Sequence, residues 1–202
     1  MMDRDVVIWD TTAPRHLSVA GRMDVLVGPL GLHVPRDVAN PADPFEEELL
    51  SGPRHTLSEI AHAEARFRAR HRDSPSRDDF EAAEQLAAFR RSPDLRVIDL
   101  DDSERDDAEV FSSLAFAERH DLVAPLGKGE AAVLALASSR GCRAGLDETV
   151  ARQVARELDV TVVTTRQWLR EQVEGLRLSK AEANTLYEEL RIGGFRAKEN
   201  LY

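Results

Sequence analysis

One cysteine, Cys142, stands in a chain of 202 residues, so no internal disulfide framework and no multi-cysteine metal site can form. It reads most simply as a small buried apolar residue in a reducing compartment. Aromatic residues are scarce at 5%, which leaves leucine, valine and alanine to build the core. The six histidines fall in neither HxH nor HxxxH spacing, which argues against a zinc site. No apolar run approaches the roughly 18 residues that a membrane span needs. "MMDRDVVIWD" runs straight into an apolar strand without the hydrophobic stretch of a secretory leader, so a cytoplasmic protein with no membrane partner is expected. An excess of basic charge is also missing. The formal charge of −10 argues against sequence-independent nucleic-acid binding through the overall field. It leaves room for a local basic groove, and it suits a protein that uses carboxylates to bind a cation.

What is present is the balance of a soluble globular protein, 42% hydrophobic and 32% charged, over a length that suits one sizeable domain spanning 1–202. "DVVIW" (5–9) reads as a strand ending at Asp10, and "TTAP" then suits a first helical turn. A helix over 14–27, broken at Gly21, follows, and then "LHVPRDV" (32–38), a second short strand followed by a turn or helix start. From Pro41 the chain turns polar and proline-punctuated, and predicts helices at about 44–50, 56–71 and 77–91, with Thr56 and Ser76 near the starts of the last two. "LRVIDL" (95–100) returns to strand, and "DDSERDDAEVFSSLAFAERH" predicts one acidic-fronted helix. After the small-residue helix of "GKGEAAVLALA" come a strand in "CRAGL", a helix in "TVARQVARELD", a strand over 160–165 and two closing helices, with Gly193 and Gly194 as a glycine C-cap. Strands alternating with helices predict a parallel α/β sandwich, with about 53–94 as a helical insertion.

Ligand crevices of open α/β sheets lie at the carboxyl ends of the strands. Asp10 follows the first strand, Asp147 follows "CRAGL", and Glu130 begins a helix near the same rim. Converging carboxylates repel in a partly dry cleft, and a divalent cation relieves that repulsion; hard oxygen donors suit Mg²⁺ or Mn²⁺. Each acid taken singly also has a plainer role. Asp10 and Asp147 suit turns, and Glu130 suits the first turn of a helix, where unpaired N–H groups and the helix dipole favour a carboxylate.

Several stretches resemble a known family. "VVIWDTTAP" resembles the opening strand of PIN-domain proteins, "GKGEAAVLALA" a glutamate-bearing helix of a PIN subfamily related to toxin ribonucleases, and "GLDETVARQVARELDVTVVTTRQWL" that subfamily's paired-acid helix and following strand. "LYEELRIGGFRAKENLY" is similar to its ending. The resemblance covers roughly 5–40 and 95–202. It implies a PIN-like sheet sandwiched by helices and a Mg²⁺- or Mn²⁺-dependent endoribonuclease that hydrolyses phosphodiesters, commonly the toxin of a toxin–antitoxin pair. The partners it implies are an RNA substrate, an antitoxin protein and a second copy in a homodimer.

By position, the resemblance carries Asp10, Glu130 and Asp147 over as catalytic metal ligands, with Glu148 where a second acid often stands and Thr12 and Thr165 as hydroxyl-bearing support. The chain departs from the family at Asn40, which takes the place of a usual glutamate and offers a carbonyl oxygen without charge; Asp37, Asp43, Glu46 or Glu47 are the nearest substitutes. The departure leaves a second reading open, a catalytically weak PIN-like module that binds RNA or protein. Lys128, Arg66 and Arg70 are candidates for holding phosphates. The two arginines share a helical face at spacing four, which equally describes a solvated surface. Trp168, with Leu169 and Val173, suits the core or a subunit contact.

Overall fold

The structure is a computed structural model that describes residues 5–10, 12–28, 32–35, 94–192, 195 and 200–202. Five strands form one sheet: β1 (Val7–Trp9), β2 (Leu32–Pro35), β3 (Leu95–Ile98), β4 (Arg143–Gly145) and β5 (Val162–Val163). Their order is β3-β2-β1-β4-β5, and every pairing is parallel. The helices are α1 (Thr12–Val19), a 3₁₀ turn (Met23–Leu26), α2 (Asp102–Phe111), α3 (Leu114–Arg119), α4 (Lys128–Arg140), α5 (Thr149–Glu157), α6 (Thr165–Glu174) and α7 (Lys180–Ile192). The parallel α/β sandwich expected from the sequence is thus the architecture observed.

Both faces of a parallel sheet must be covered, so its central strand has no polar side. Along "VVIW" successive side chains go to opposite faces. Val6 and Ile8 join a core with Ala108 of α2, Ala144 of β4, Val154 of α5 and the whole buried run of α4. Val7 and Trp9 join a second core with Leu17 of α1, Leu26 of the 3₁₀ turn, Leu169 of α6 and Leu186 of α7. In α4, Ala131 to Leu136 are wholly inaccessible to solvent. Four alanines in seven positions let neighbouring elements close round the helix, and Gly141, at φ 70°, ends it in the left-handed conformation. Cys142 is buried, as expected, and burial pushes its thiol up to about 11.

Local expectations were revised in three places. "DDSERDDAEVFSSLAFAERH" forms two helices: Ser113 accepts the Phe116 N–H at 3.1 Å and so caps a new one. The break expected at Gly21 is present, with α1 stopping at Val19 and Gly21 at φ 67°, but the chain then turns into a 3₁₀ segment and not further α-helix. The last strand is shorter than 160–165, because Thr164 caps α6 by accepting the Gln167 N–H while Gln167 accepts the Thr164 N–H. Thr165 therefore opens a helix. The helices expected within 41–93, most of the 53–94 insertion, the turn or helix start expected after the second strand and the Gly193–Gly194 cap lie outside the described residues. Among the described residues, no helix is long and apolar enough to cross a membrane.

Candidate active site

Strands β1 and β4 are neighbours in register, with Trp9 opposite Gly145. The chain leaves both at the same sheet edge, and the Asp10 N–H donates to the Gly145 carbonyl at 3.1 Å, carrying the pairing one residue beyond β1. Asp10 follows that edge on one strand and Asp147 on the next. Gly145 has a steric role here. A Cβ on it would lie 2.3 Å from Cε3 of the Trp9 ring, so only glycine lets the two strand ends run side by side over that indole.

Each aspartate is held by a threonine at the start of a helix. Thr12 donates its hydroxyl to Asp10 Oδ2 at 3.1 Å, and its N–H approaches the same oxygen at 3.4 Å. Thr165, wholly buried, donates its N–H to Asp147 Oδ1 at 2.9 Å and its hydroxyl to Oδ2 at 2.6 Å. Both hydroxyls thus orient carboxylates. Asp10 is buried, and burial raises the Asp147 carboxyl above its ordinary value; the charge of Asp10 raises it further, against the Thr165 hydrogen bonds and the charge of Arg152. Two carboxylates that penalise one another's ionisation in a dry site are a donor set that a divalent cation stabilises. Asp10 and Asp147 are the residues that would hold such an ion.

The other candidates are placed differently. Glu130 is the third residue of α4, half-buried, and its Oε2 accepts the Gly127 N–H at 2.8 Å. That is the helix-start role, and among the described residues no group of three His, Cys, Asp or Glu side chains is drawn together to hold one metal ion. Glu148 is exposed at the N-cap of α5 and makes no side-chain capping bond. Lys128 is exposed at the start of α4. Asn40, Arg66 and Arg70, with the alternative acids Asp37, Asp43, Glu46 and Glu47, lie outside the described residues. Trp168 is a core residue, with its indole N–H donated to the Val25 carbonyl at 2.7 Å and its ring edge-on to Trp9 at 5.7 Å.

Sequence reasoning passed over Arg152. It lies in the second turn of α5, and one of its terminal nitrogens reaches back to Thr149 Oγ1 at 3.2 Å, at the end of the helix next to Asp147. A signal was present, since a cation near a helix N-terminus opposes the helix dipole and calls for a compensating charge.

A family profile described as a PIN domain matches residues 98–202. No curated protein and no solved structure matches the chain significantly. The matched span starts at the last residue of β3 and takes in Glu130, Asp147, Arg152 and Thr165, whereas Asp10 lies before it. It is just over half of the sequence, and on that match, together with the all-parallel sheet it helps to form, the chain belongs to the PIN-domain family.

Proposed function

We propose that the protein is a Mg²⁺- or Mn²⁺-dependent endoribonuclease. The observation that supports this most is the pairing of Asp10 and Asp147 at adjacent strand ends, with the charge of one raising the carboxyl of the other. In this reading both aspartates hold the cation, and Thr12 and Thr165 fix their orientation. Glu130 completes the set after giving up the Gly127 N–H, and Glu148 stands beside Asp147 as a further acid. A bound divalent cation supplies a water of lowered pKa and positive charge for the phosphodiester in the transition state. The aspartates are pre-aligned for that task, so little reorganisation remains for the reaction itself.

The finer parts of the proposal concern context. We read the whole chain as a single PIN-like domain of the cytoplasm, homodimeric, with about 53–94 setting the choice of RNA or protein partner. The biological role proposed is the toxin of a toxin–antitoxin pair. Induced expression should then arrest growth, and Asp147→Asn should relieve the arrest.

A fluorescent single-stranded RNA incubated with the protein tests the chemistry. Cleavage in Mn²⁺ that stops in EDTA, and in both Asp10→Asn and Asp147→Asn, is the expected result. Cleavage that survives both substitutions places the chemistry elsewhere. One observation favours a second reading, a PIN-like module that binds RNA or protein and cuts weakly: the Glu130 carboxylate is engaged at its own helix start. RNA binding without metal-dependent cleavage would select it.

A further inference from the structure

Several arginines in this structure are committed to acids. Arg140 grips Glu104 through two nitrogens, Arg143 meets Glu171, and Arg191 meets Glu188. Arg152 differs. It makes no salt bridge among the described residues, and its one side-chain hydrogen bond goes to the neutral hydroxyl of Thr149. Its Nε is buried without a hydrogen-bond partner. That nitrogen is closed to any ligand, as is the Nε of the salt-bridged Arg143, so it is the terminal nitrogens of the half-buried Arg152 that remain for an anion. Thr149 is two residues from Asp147, and the bond to it holds the guanidinium at the same end of α5 as the paired aspartates.

We propose that Arg152 binds the phosphodiester of the RNA substrate. The planar fork of a guanidinium matches two oxygens of one phosphate, here through its two terminal nitrogens. Resting on the reading of Asp10 and Asp147 as a nuclease site, the assignment gives the substrate a cationic anchor beside two anions that would otherwise repel it. Thr149 holds the fork on this side of the helix. The positive charge of Arg152 also offsets part of the repulsion at Asp147.

The test is fluorescence anisotropy of a labelled single-stranded RNA oligonucleotide in EDTA, titrated with the full chain carrying Asp147→Asn so that no cutting intervenes. Adding Arg152→Ala should weaken binding about tenfold, as expected for a lost charge-assisted contact, and reduce the slope of log affinity against log salt by about 0.7. Arg152→Lys keeps the charge without the fork and should fall between the two. Arg156→Ala, one turn on and exposed, should change neither quantity. Equal losses at Arg152 and Arg156, no loss at Arg152, or no RNA binding by the parent chain would each overturn the assignment. Cleavage in Mn²⁺ separates this from the nuclease reading. RNA binding that depends on Arg152 in a protein that never cuts refutes the nuclease alone, and unaltered binding and cleavage in Arg152→Ala refutes the anchor alone.

Discussion

Replacing Gly145 with alanine puts a methyl carbon 2.3 Å from Cε3 and 2.4 Å from Cδ2 of Trp9. Ordinary contact begins at 3.4 Å, so about 1.1 Å of separation has to be found inside the second core. Trp9 cannot swing into solvent, being 1% exposed, and its ring meets Trp168 edge-on. The alternative is to part β1 from β4, which strains the Asp10 N–H bond to the Gly145 carbonyl. Overpacking of this kind typically costs about 1–3 kcal/mol, and a rigid indole between two strands belongs at about 3. Out of a total stability of about 5–15 kcal/mol, that is a large share. Urea denaturation followed by tryptophan emission measures it directly, because the chain has only two tryptophans and both lie in the disturbed core. Metal-dependent cleavage should fall with stability, since Asp10 moves relative to Asp147. Trp9→Leu, which makes room, should recover at least about 1 kcal/mol of the loss in a double-mutant cycle. An unchanged urea midpoint and emission maximum in Gly145→Ala would refute the reasoning.

Three further outcomes are expected. The Asp147 carboxyl is raised from 3.8, so as pH climbs through that value the unfolded chain ionises first and the fold loses stability; Asp147→Asn should therefore melt above wild type at pH 7 in EDTA and near it at pH 3, and a lower melting temperature at pH 7 would sink this view. Glu104 is held below its ordinary 4.5 chiefly by its hydrogen bonds to Arg140, so its stabilisation is present above 4.5 and disappears as pH falls through the lower folded value. Glu104→Gln should cost about 2–3 kcal/mol at pH 7, with the gap closing in acid, as pH-dependent urea titrations will show. Asn40→Glu should tighten Mn²⁺ binding about tenfold by calorimetry, one carboxylate contributing about 1.4 kcal/mol, and equal affinities would put position 40 outside the metal shell.

How much was legible depended on whether a feature was local. "VVIWD" announced a buried strand delivering an acid because alternation and strand propensity act over a few residues. The burial of "AAVLALA" was equally plain. The helix break at Ser112–Ser113 was harder, since apolar Val110, Leu114 and Ala117 keep a helical spacing through it and only the Ser113 cap interrupts the chain. The end of β5 was readable in principle: Thr164 and Gln167 have capping-box spacing, but the β-branched run before them hid it. Glu130 was a true ambiguity, because a metal ligand and a helix-start acceptor ask for the same residue at the same place. Arg152 offered only the signal of a cation near a helix N-terminus, because its significance lies in which strand end its helix follows.

Thr165 gives both of its donors to Asp147, and three residues later on the same helix Trp168 is tied to the Val25 carbonyl and lies edge-on to Trp9. Any change in the charge of Asp147 acts on the threonine that begins α6, and a buried indole sits one turn along that rigid rod. The protein therefore carries its own optical gauge. Titration of the carboxylate should register in the tryptophan emission, to which Trp9 also contributes, with no label attached.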